Sequence, residues 1–100
     1  MAPSLARGIV IVYILRLQSG RLYVGCSADA EMRFREHSTG TACLMTKVDP
    51  PTSVAYIEIQ PDYSSARRRE TQIKKWSRAK KEALIAGDVL RLKTLSRSHD

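Results

Sequence analysis

The segment IVIVYILRL (residues 9–17) restricts the fold more than any other part of this sequence. Most of its residues are β-branched, a composition that favours an extended backbone. A turn over residues 18–20 follows directly, so the segment is predicted to be a buried strand. RLYVGCS begins immediately after the turn. Residues 21–26 are therefore predicted to be its hairpin partner.

The predicted partner strand contains a glycine where a strand favours a branched side chain. Strand alternation places Leu22, Val24 and Cys26 on one face and Tyr23 and Gly25 on the other. Glycine weakens a strand interior unless backbone or ligand must come close there. Gly25 is therefore expected to clear space beside Tyr23.

The remaining sequence alternates between helical and extended patterns. Residues 27–40 are predicted to form a helix that starts at Ser27 or Asp29 and ends at Gly40. An irregular loop (41–53), a third strand (53–59), a helix broken near Ser77 (64–87) and a last short helix (88–96) are predicted to follow. The predicted caps of these later helices are Ser64 or Ser65, Gly87 and Asp88.

The order ββαβααα predicts an α+β domain in which helices cover a small sheet that is at least partly antiparallel. A chain of 100 residues fits one domain. We expect a flexible N-terminal tail (1–8), a single domain (9–96) and a C-terminal tail (97–100).

The cysteines and the apolar segments bear on location. Cys26 and Cys43 form neither a zinc motif nor a disulfide framework, so both are predicted to be free thiols. Cys26 is expected to pack in the strand rather than to act as a nucleophile. The sequence has no signal-peptide pattern and no apolar run of membrane-spanning length. A cytoplasmic location without membrane insertion is therefore predicted.

The positive charge is confined to the last third of the chain. Residues 1–64 contain six basic and six acidic side chains, whereas residues 65–100 contain eleven and four, which gives the whole net charge of +7. Such a field indicates a polyanionic partner, either nucleic acid or an anionic membrane surface. A solvated helical face is the alternative.

Two polar residues of the first predicted helix face the protein. Ala30, Arg33, Phe34 and His37 follow the spacing of one helical face, which should lean on the sheet. Arg33 and His37 then lie at the edge of that face. They are either functional or, alternatively, an arginine with a solvated head group and a satisfied boundary histidine.

Glu70 is an acidic residue on the apolar stripe of a basic helix. It shares this stripe with Ala66, Ile73 and Ser77. A buried carboxylate requires a cation. Arg33, Lys74 at i+4 and a metal ion are the three candidates, and the pair with Lys74 would favour an exposed Glu70.

Tyr13 and Tyr23 lie on the two paired strands. Taken singly, each is expected to pack with a solvated hydroxyl. Together with an arginine, a histidine and a carboxylate, they provide the groups that phosphodiester cleavage needs. These groups are a base for water, a cation for the non-bridging oxygens and a metal for the leaving oxygen.

These residues resemble the motifs of the GIY-YIG nuclease family. IVY (11–13) and YVG (23–25) are similar to its paired signature, and Arg33, His37 and Glu70 match its later motif positions in order. REHSTG (35–40) and RRETQIKKWSRAKKEALI (68–85) resemble the small single-domain bacterial members. The resemblance covers residues 8–86. The chain departs from the family pattern in having Ile11 in the first motif, Cys26 where some members have lysine, and no asparagine, which leaves Glu82 as the candidate for that role.

The resemblance implies a three-stranded antiparallel β-sheet flanked by helices. It also implies a DNA endonuclease that uses one divalent cation, Mg²⁺ or Mn²⁺, held by Glu70. Tyr23, alone or with Tyr13, would deprotonate or orient the attacking water. Arg33 would hold the scissile phosphate and His37 would act as a hydrogen-bonding group or proton carrier. Gly25 would leave room for the phosphate backbone.

DNA contacts are expected from basic side chains that lie off the Glu70 stripe. Because the sequence shows no second domain that would select the target, the protein is expected to act either with a protein partner that supplies target specificity or on branched or damaged DNA. Alternative functions are a non-catalytic nucleic-acid-binding module on the same scaffold and a protein-interaction domain that binds an acidic partner. The predicted contact residues besides Gly25 are Lys47, Arg67, Arg68, Lys74, Lys75 and Arg78.

Overall fold

The chain forms a three-stranded antiparallel sheet with helices on both faces, which confirms the predicted α+β fold. The computed structural model describes residues 7–40 and 44–97. The strands are β1 (Arg7–Leu17), β2 (Leu22–Asp29) and β3 (Pro51–Gln60), in the spatial order β2-β1-β3. The helices are α1 (Ala30–Thr39), α2 (Leu44–Val48), α3 (Tyr63–Lys74), α4 (Arg78–Ala86) and α5 (Val89–Arg97).

Strand β1 is central, and both of its faces are buried. Its alternate residues Val12 and Ile14 pack with residues of α3 and α4, including Ile73 and Leu84. On the opposite face Ile11, Tyr13, Leu15 and Leu17 pack with Ala30 of α1. Burial of both faces explains why the segment is almost continuously apolar, as in other strands covered on both sides.

The segment between α1 and β3 corrects the predicted element order. Residues 44–48 form the short helix α2, and β3 begins at Pro51, so the order is ββααβααα. The prediction of an irregular loop over residues 41–53 is therefore wrong. Five residues are too few to show a helical period, and a proline is tolerated as the first residue of an edge strand. Cys43 lies outside the described residues.

The helix caps are mostly those that the sequence predicts. Asp29 caps α1, with its Oδ1 accepting a hydrogen bond from the Met32 amide at 3.1 Å. Ser77 separates α3 from α4 and caps the latter, as the predicted break requires. The cap of α3 is Asp62, and not Ser64 or Ser65 as predicted.

Arg69 of helix α3 binds a residue of β3 and so holds the helix against the sheet. The Arg69 guanidinium donates two hydrogen bonds to Glu58 of β3, at 2.9 and 3.1 Å. The ring of Trp76, just beyond the helix, packs against the cationic groups of both Arg69 and Lys80. Glu70, the residue after Arg69, contacts Cys26 of β2.

Helix α4 is joined to β1 by a bidentate ion pair. Arg16 donates to both carboxylate oxygens of Glu82, at 2.8 and 3.0 Å, and Arg78 donates to the same carboxylate at 3.1 Å. These hydrogen bonds, with Arg16 contributing most, lower the pKa of Glu82 to about 2.

Within the described residues, no helix has the length and apolar composition that a membrane crossing requires.

We predict that the Arg16–Glu82 pair makes the stability of the fold depend on pH. Because folding lowers the pKa of Glu82, its contribution is complete above the unfolded value of about 4.5 and is lost as the pH falls toward about 2. The carboxylate is partly solvated, so we expect about 1 kcal/mol or less. Glu82→Gln should remove this contribution at pH 7 and flatten the pH dependence of urea unfolding.

Glu31→Gln is the matched control, because it removes a carboxylate from an exposed pair with Arg35 on α1. Equal effects of the two substitutions on unfolding would show that the Arg16–Glu82 pair does not join α4 to β1.

Candidate active site

A buried chain of three polar side chains lies between the sheet and helices α1 and α2. The Tyr13 hydroxyl lies 2.8 Å from His37 Nε2, and His37 Nδ1 lies 2.9 Å from Thr46 Oγ1. Each of the three residues is about 1% exposed. A neutral imidazole donates through one nitrogen and accepts through the other, so His37 joins the two hydroxyls into one hydrogen-bonded chain.

The environment keeps this chain uncharged at neutral pH. Burial raises the pKa of Tyr13, and the charges of Tyr23 and Glu70 act in the same direction while Arg33 opposes them. Burial also lowers the pKa of His37, and Arg33 lowers it further. Tyr13 therefore remains a protonated phenol and His37 a neutral imidazole in the physiological range.

Gly25 makes room for the ring of Tyr13. The two residues are direct partners in the β1–β2 register. A Cβ atom at Gly25 would lie 2.5 Å from the Tyr13 hydroxyl oxygen and 2.6 Å from Cζ. The expectation that this space admits a phosphate is therefore wrong, because the tyrosine ring already fills it.

Tyr23 is the more accessible of the two tyrosines. It shares the Tyr13 face of the sheet and is only partly buried. Its ring lies 5.0 Å from that of His37, at an edge-on angle of 66°. Tyr13, in contrast, is enclosed edge-on by Phe34 at 5.2 Å and by His37 at 5.7 Å.

Arg33 places a positive charge beside this cluster. Its side chain is 40% exposed and lies 3.6 Å from the carboxylate of Glu36 on the same helix. Its charge lowers the pKa values of Tyr13 and His37, so it acts electrostatically on both. The guanidinium is thus accessible to solvent and still close to the buried chain.

Glu70 approaches from the opposite face of the sheet. Its side chain is 12% exposed and pairs with Lys74 Nζ at 3.4 Å. The Cys26 thiol donates to it at 3.7 Å, and burial followed by the charge of Glu70 raises the thiol pKa. Of the three candidate cations, Lys74 therefore pairs with Glu70, and the carboxylate is nearly buried, as its position on the apolar stripe predicts.

The two halves of the site meet at the edge of the sheet. Strand β2 is an outer strand. The Tyr13 hydroxyl lies over Gly25 on one face, and the adjacent Cys26 faces Glu70 on the other. Burial dominates the raised pKa of Tyr13, and the charge of Glu70 acts in the same direction from the other face.

Sequence reasoning missed two residues of this region. Thr46 was assigned to an irregular loop, and its hydrogen bond to His37 reveals its role. Tyr63 opens α3 with its side chain 48% exposed. It interacts with both Cys26 and Arg67 and thereby changes the pKa of each. One signal for Tyr63 was available in the sequence. Tyr63 precedes Ala66 by three residues and Glu70 by seven, and these spacings place all three residues on one helical face.

The predicted nucleic-acid contacts lie on the surface outside the buried cluster. All of the basic side chains among them are exposed, as expected for positions off the Glu70 stripe. Lys47 packs its stem beside Gly40. The carboxylate of Glu82 accepts hydrogen bonds from Arg16 and Arg78, so it lies at the contact between β1 and α4. The exposed set is Lys47, Arg67, Arg68, Lys74, Lys75 and Arg78.

The donor set around Glu70 suits one kind of metal ion. Among the described residues, no three His, Cys, Asp or Glu side chains come together as a metal-binding group. A single carboxylate beside a protonated thiol does not suit Zn²⁺, which takes nitrogen and thiolate ligands. It fits Mg²⁺ or a similar hard ion, which keeps several waters and needs only one or two carboxylates.

Comparisons with known proteins agree with this arrangement. The family model described as the GIY-YIG catalytic domain matches residues 9–83. A UPF0213 protein of Staphylococcus saprophyticus is 37% identical over 75 residues, which cover 75% of this chain and 92% of that protein. A UPF0213 protein of Staphylococcus aureus is 38% identical over 74 residues, covering 74% and 90%.

A solved structure is also similar. The solution NMR structure of a UPF0213 protein from Bacillus halodurans is 31% identical with a TM-score of 0.52, over 78% of this chain and 83% of that one.

We predict that Gly25→Ala destabilises the fold through Tyr13. The added methyl group would overlap the Tyr13 ring, whose displacement breaks the hydrogen bond to His37. Overpacking of this kind costs about 1–3 kcal/mol. The free energy of unfolding, measured by urea titration with tyrosine absorbance as a local probe, should fall by that amount.

Ala28→Ser serves as the control, because it also enlarges a small residue of β2 but does so at an exposed position. If the two variants are equally stable, the tyrosine ring does not occupy the space above Gly25.

Proposed function

This chain belongs to the GIY-YIG family, and from that premise we propose that it is a metal-dependent DNA endonuclease that hydrolyses phosphodiester bonds with one divalent cation. One observation carries the proposal: Glu70, a nearly buried carboxylate on a basic helix, lies at the same edge of the sheet as the tyrosine cluster. Burial of a carboxylate is costly and is usually offset by a cation.

Each side chain of the site has a role in this proposal. Glu70 would hold Mg²⁺ or Mn²⁺, and the chemistry that the ion supplies when bound is neutralisation of charge on the phosphate. Arg33 is accessible and fixed near the cluster, so its planar guanidinium can grip non-bridging phosphate oxygens.

The two tyrosines are assigned different roles because they differ in burial. Burial raises the pKa of Tyr13, so its hydroxyl stays protonated at neutral pH and is not available as a base. Tyr23 is partly exposed and is therefore the residue that would deprotonate or orient the attacking water. His37 reaches Tyr13 but is almost wholly enclosed, so it acts as a positioning residue that holds the tyrosine ring.

A second candidate function is a non-catalytic nucleic-acid-binding module. The ion pair with Lys74 favours it, because this pair gives Glu70 a cation without any metal. Lys74 is itself 53% exposed, however, and a solvated ammonium offsets the burial of a carboxylate only in part. The residual cost favours the endonuclease.

The proposal also covers how DNA is bound and how the target is chosen. The basic residues of α3 and α4 would contact DNA phosphates, and these contacts carry no sequence information. Target choice would then come from DNA structure or from a protein partner. The cytoplasmic location stays a prediction.

We predict that Glu70→Gln abolishes cleavage while leaving most DNA binding. Replacing even an outer-shell partner of a metal costs about 10–100-fold, so loss of the ligand itself should cost at least about a hundredfold. Plasmid, single-stranded and branched DNA would be incubated with the pure protein in Mg²⁺, Mn²⁺ or EDTA. Affinity would be measured in parallel by fluorescence anisotropy.

Lys74→Gln is the matched control, since it removes the same ion pair but keeps the carboxylate. A metal ligand requires that Lys74→Gln retain metal-dependent cleavage. Equal losses in the two variants, or cleavage in EDTA, would contradict the metal-binding role of Glu70.

We further predict that the two tyrosines separate when each is changed to phenylalanine. Tyr23→Phe should reduce single-turnover cleavage by at least about a hundredfold, the usual effect of losing a general base. Its free energy of unfolding would be measured in parallel, so that the loss of cleavage is compared for folded protein. Tyr13→Phe leaves a buried nitrogen of His37 unpaired and should cost about 1–3 kcal/mol of stability.

Wild-type cleavage by Tyr23→Phe would exclude its hydroxyl from the reaction. Unchanged stability of Tyr13→Phe would show that its hydrogen bond to His37 does not hold the cluster together.

A further inference from the structure

A basic pocket lies beside the candidate active site, at the turn end of the β1–β2 hairpin. Its volume is about 250 Å³, and it is lined by Arg21, Leu22, Met45, Arg78 and Lys81. Three of these side chains are cationic and none is acidic. We propose that the pocket binds a phosphate of the DNA backbone that is not cleaved. This inference rests on the proposed endonuclease function and extends it to a second binding site.

The charge balance around the pocket supports an anionic ligand. The nearest paired carboxylate is Glu82, which Arg78 shares with Arg16, so the two arginines carry more positive charge than this carboxylate neutralises. The carboxylate of Asp49, which accepts hydrogen bonds from Ser19, lies near Arg21 and offsets part of its charge. The two carboxylates are still outnumbered by the four basic groups Arg16, Arg21, Arg78 and Lys81.

The helix that borders the pocket adds to this potential. Helix α4 begins at Arg78, and its first turn contains no acidic side chain. The N-terminal end of a helix carries a partial positive charge. The pocket therefore combines this end with two basic side chains of α4, Arg78 and Lys81, and with Arg21, which directly precedes β2.

The apolar part of the lining fits the sugar that adjoins a phosphate. Leu22 is partly buried against the core, whereas Met45 is 42% exposed at its side of the pocket. Methionine is flexible and adapts to irregular apolar surfaces. A phosphate with the carbon atoms of its deoxyribose thus matches both halves of the lining.

The position of the pocket separates its phosphate from the scissile one. Leu22 is four residues from Cys26, whose thiol contacts Glu70. Because a strand advances about 3.3 Å per residue, the separation along β2 is about 13 Å, which places the bound phosphate outside the cleavage site and within a few nucleotides of it.

The test compares two charge-matched variants of the full chain. Arg21→Gln with Lys81→Gln removes two charges from the pocket, and Arg91→Gln with Lys93→Gln removes two from exposed positions of α5. Arg78 is left unchanged because it supports Glu82. Binding of a labelled duplex would be measured by fluorescence anisotropy across a salt series.

We expect the pocket variant to lose about tenfold in affinity and to flatten the slope of log K against log salt by about 1, the contribution of one phosphate contact. The α5 variant should change both quantities less. Among duplexes that each contain one neutral methylphosphonate within a few nucleotides of the cut, one should bind wild type more weakly than the unmodified duplex does, while the pocket variant should bind that duplex and the unmodified one equally. Equal behaviour of the two variants, or equal sensitivity to the neutral linkage, would overturn the proposal.

A second measurement separates this proposal from the proposed enzyme activity. Inorganic phosphate would be titrated into the full chain while the side-chain NMR signals of Arg21 and Arg78 are followed. Saturable shifts support the pocket even if no DNA is cleaved. If cleavage occurs but the signals do not shift, the pocket proposal fails and the endonuclease proposal stands.

Discussion

A phenol in the middle of a strand buried on both faces must find a hydrogen-bond partner inside the protein. In this chain Tyr13 finds it in His37, and the rest of the site follows from that contact. The ring can reach His37 because Gly25 provides no side chain on the neighbouring strand. His37 forms a second hydrogen bond, with Thr46, and this bond fixes helix α2 against α1. Buried polar groups are nearly always paired, and here the pairing fixes three elements at once.

The electrostatics of the site follow from the same enclosure. Burial raises the pKa of Tyr13 and lowers that of His37, so both remain neutral while Arg33 and Glu70 provide the charges around them. The tyrosine cluster is thus neutral, and the charges of the site are on the solvent-accessible Arg33 and the nearly buried Glu70. The basic pocket extends this arrangement along β2, because Leu22 adjoins Tyr23 in the chain and Met45 adjoins Thr46.

Much of the fold could be predicted because its signals are local. The apolar run of β1, the alternation of β2 and the break at Ser77 each depend on neighbouring residues, and each is confirmed. The role of Gly25 could not be predicted, because it depends on which rotamer a tyrosine of the partner strand adopts. Thr46 lies in a helix of five residues, which is too short to show a period. The cap of α3 was ambiguous because Asp62, Ser64 and Ser65 are all good capping residues within four positions.

Sequence separation also orders the assembly of this site. The Tyr13–His37 contact spans 24 residues and the Cys26–Glu70 contact spans 44. Loop closure costs about 0.6 kcal/mol more for each doubling of the span, so the tyrosine half closes at a lower entropic cost than the carboxylate half. The Arg16–Glu82 joint spans 66 residues and closes at the highest cost of the three. Glu70 thus enters the site through one of the longer-range contacts of the chain. Completion of the site therefore depends on contacts between segments that are far apart in the sequence.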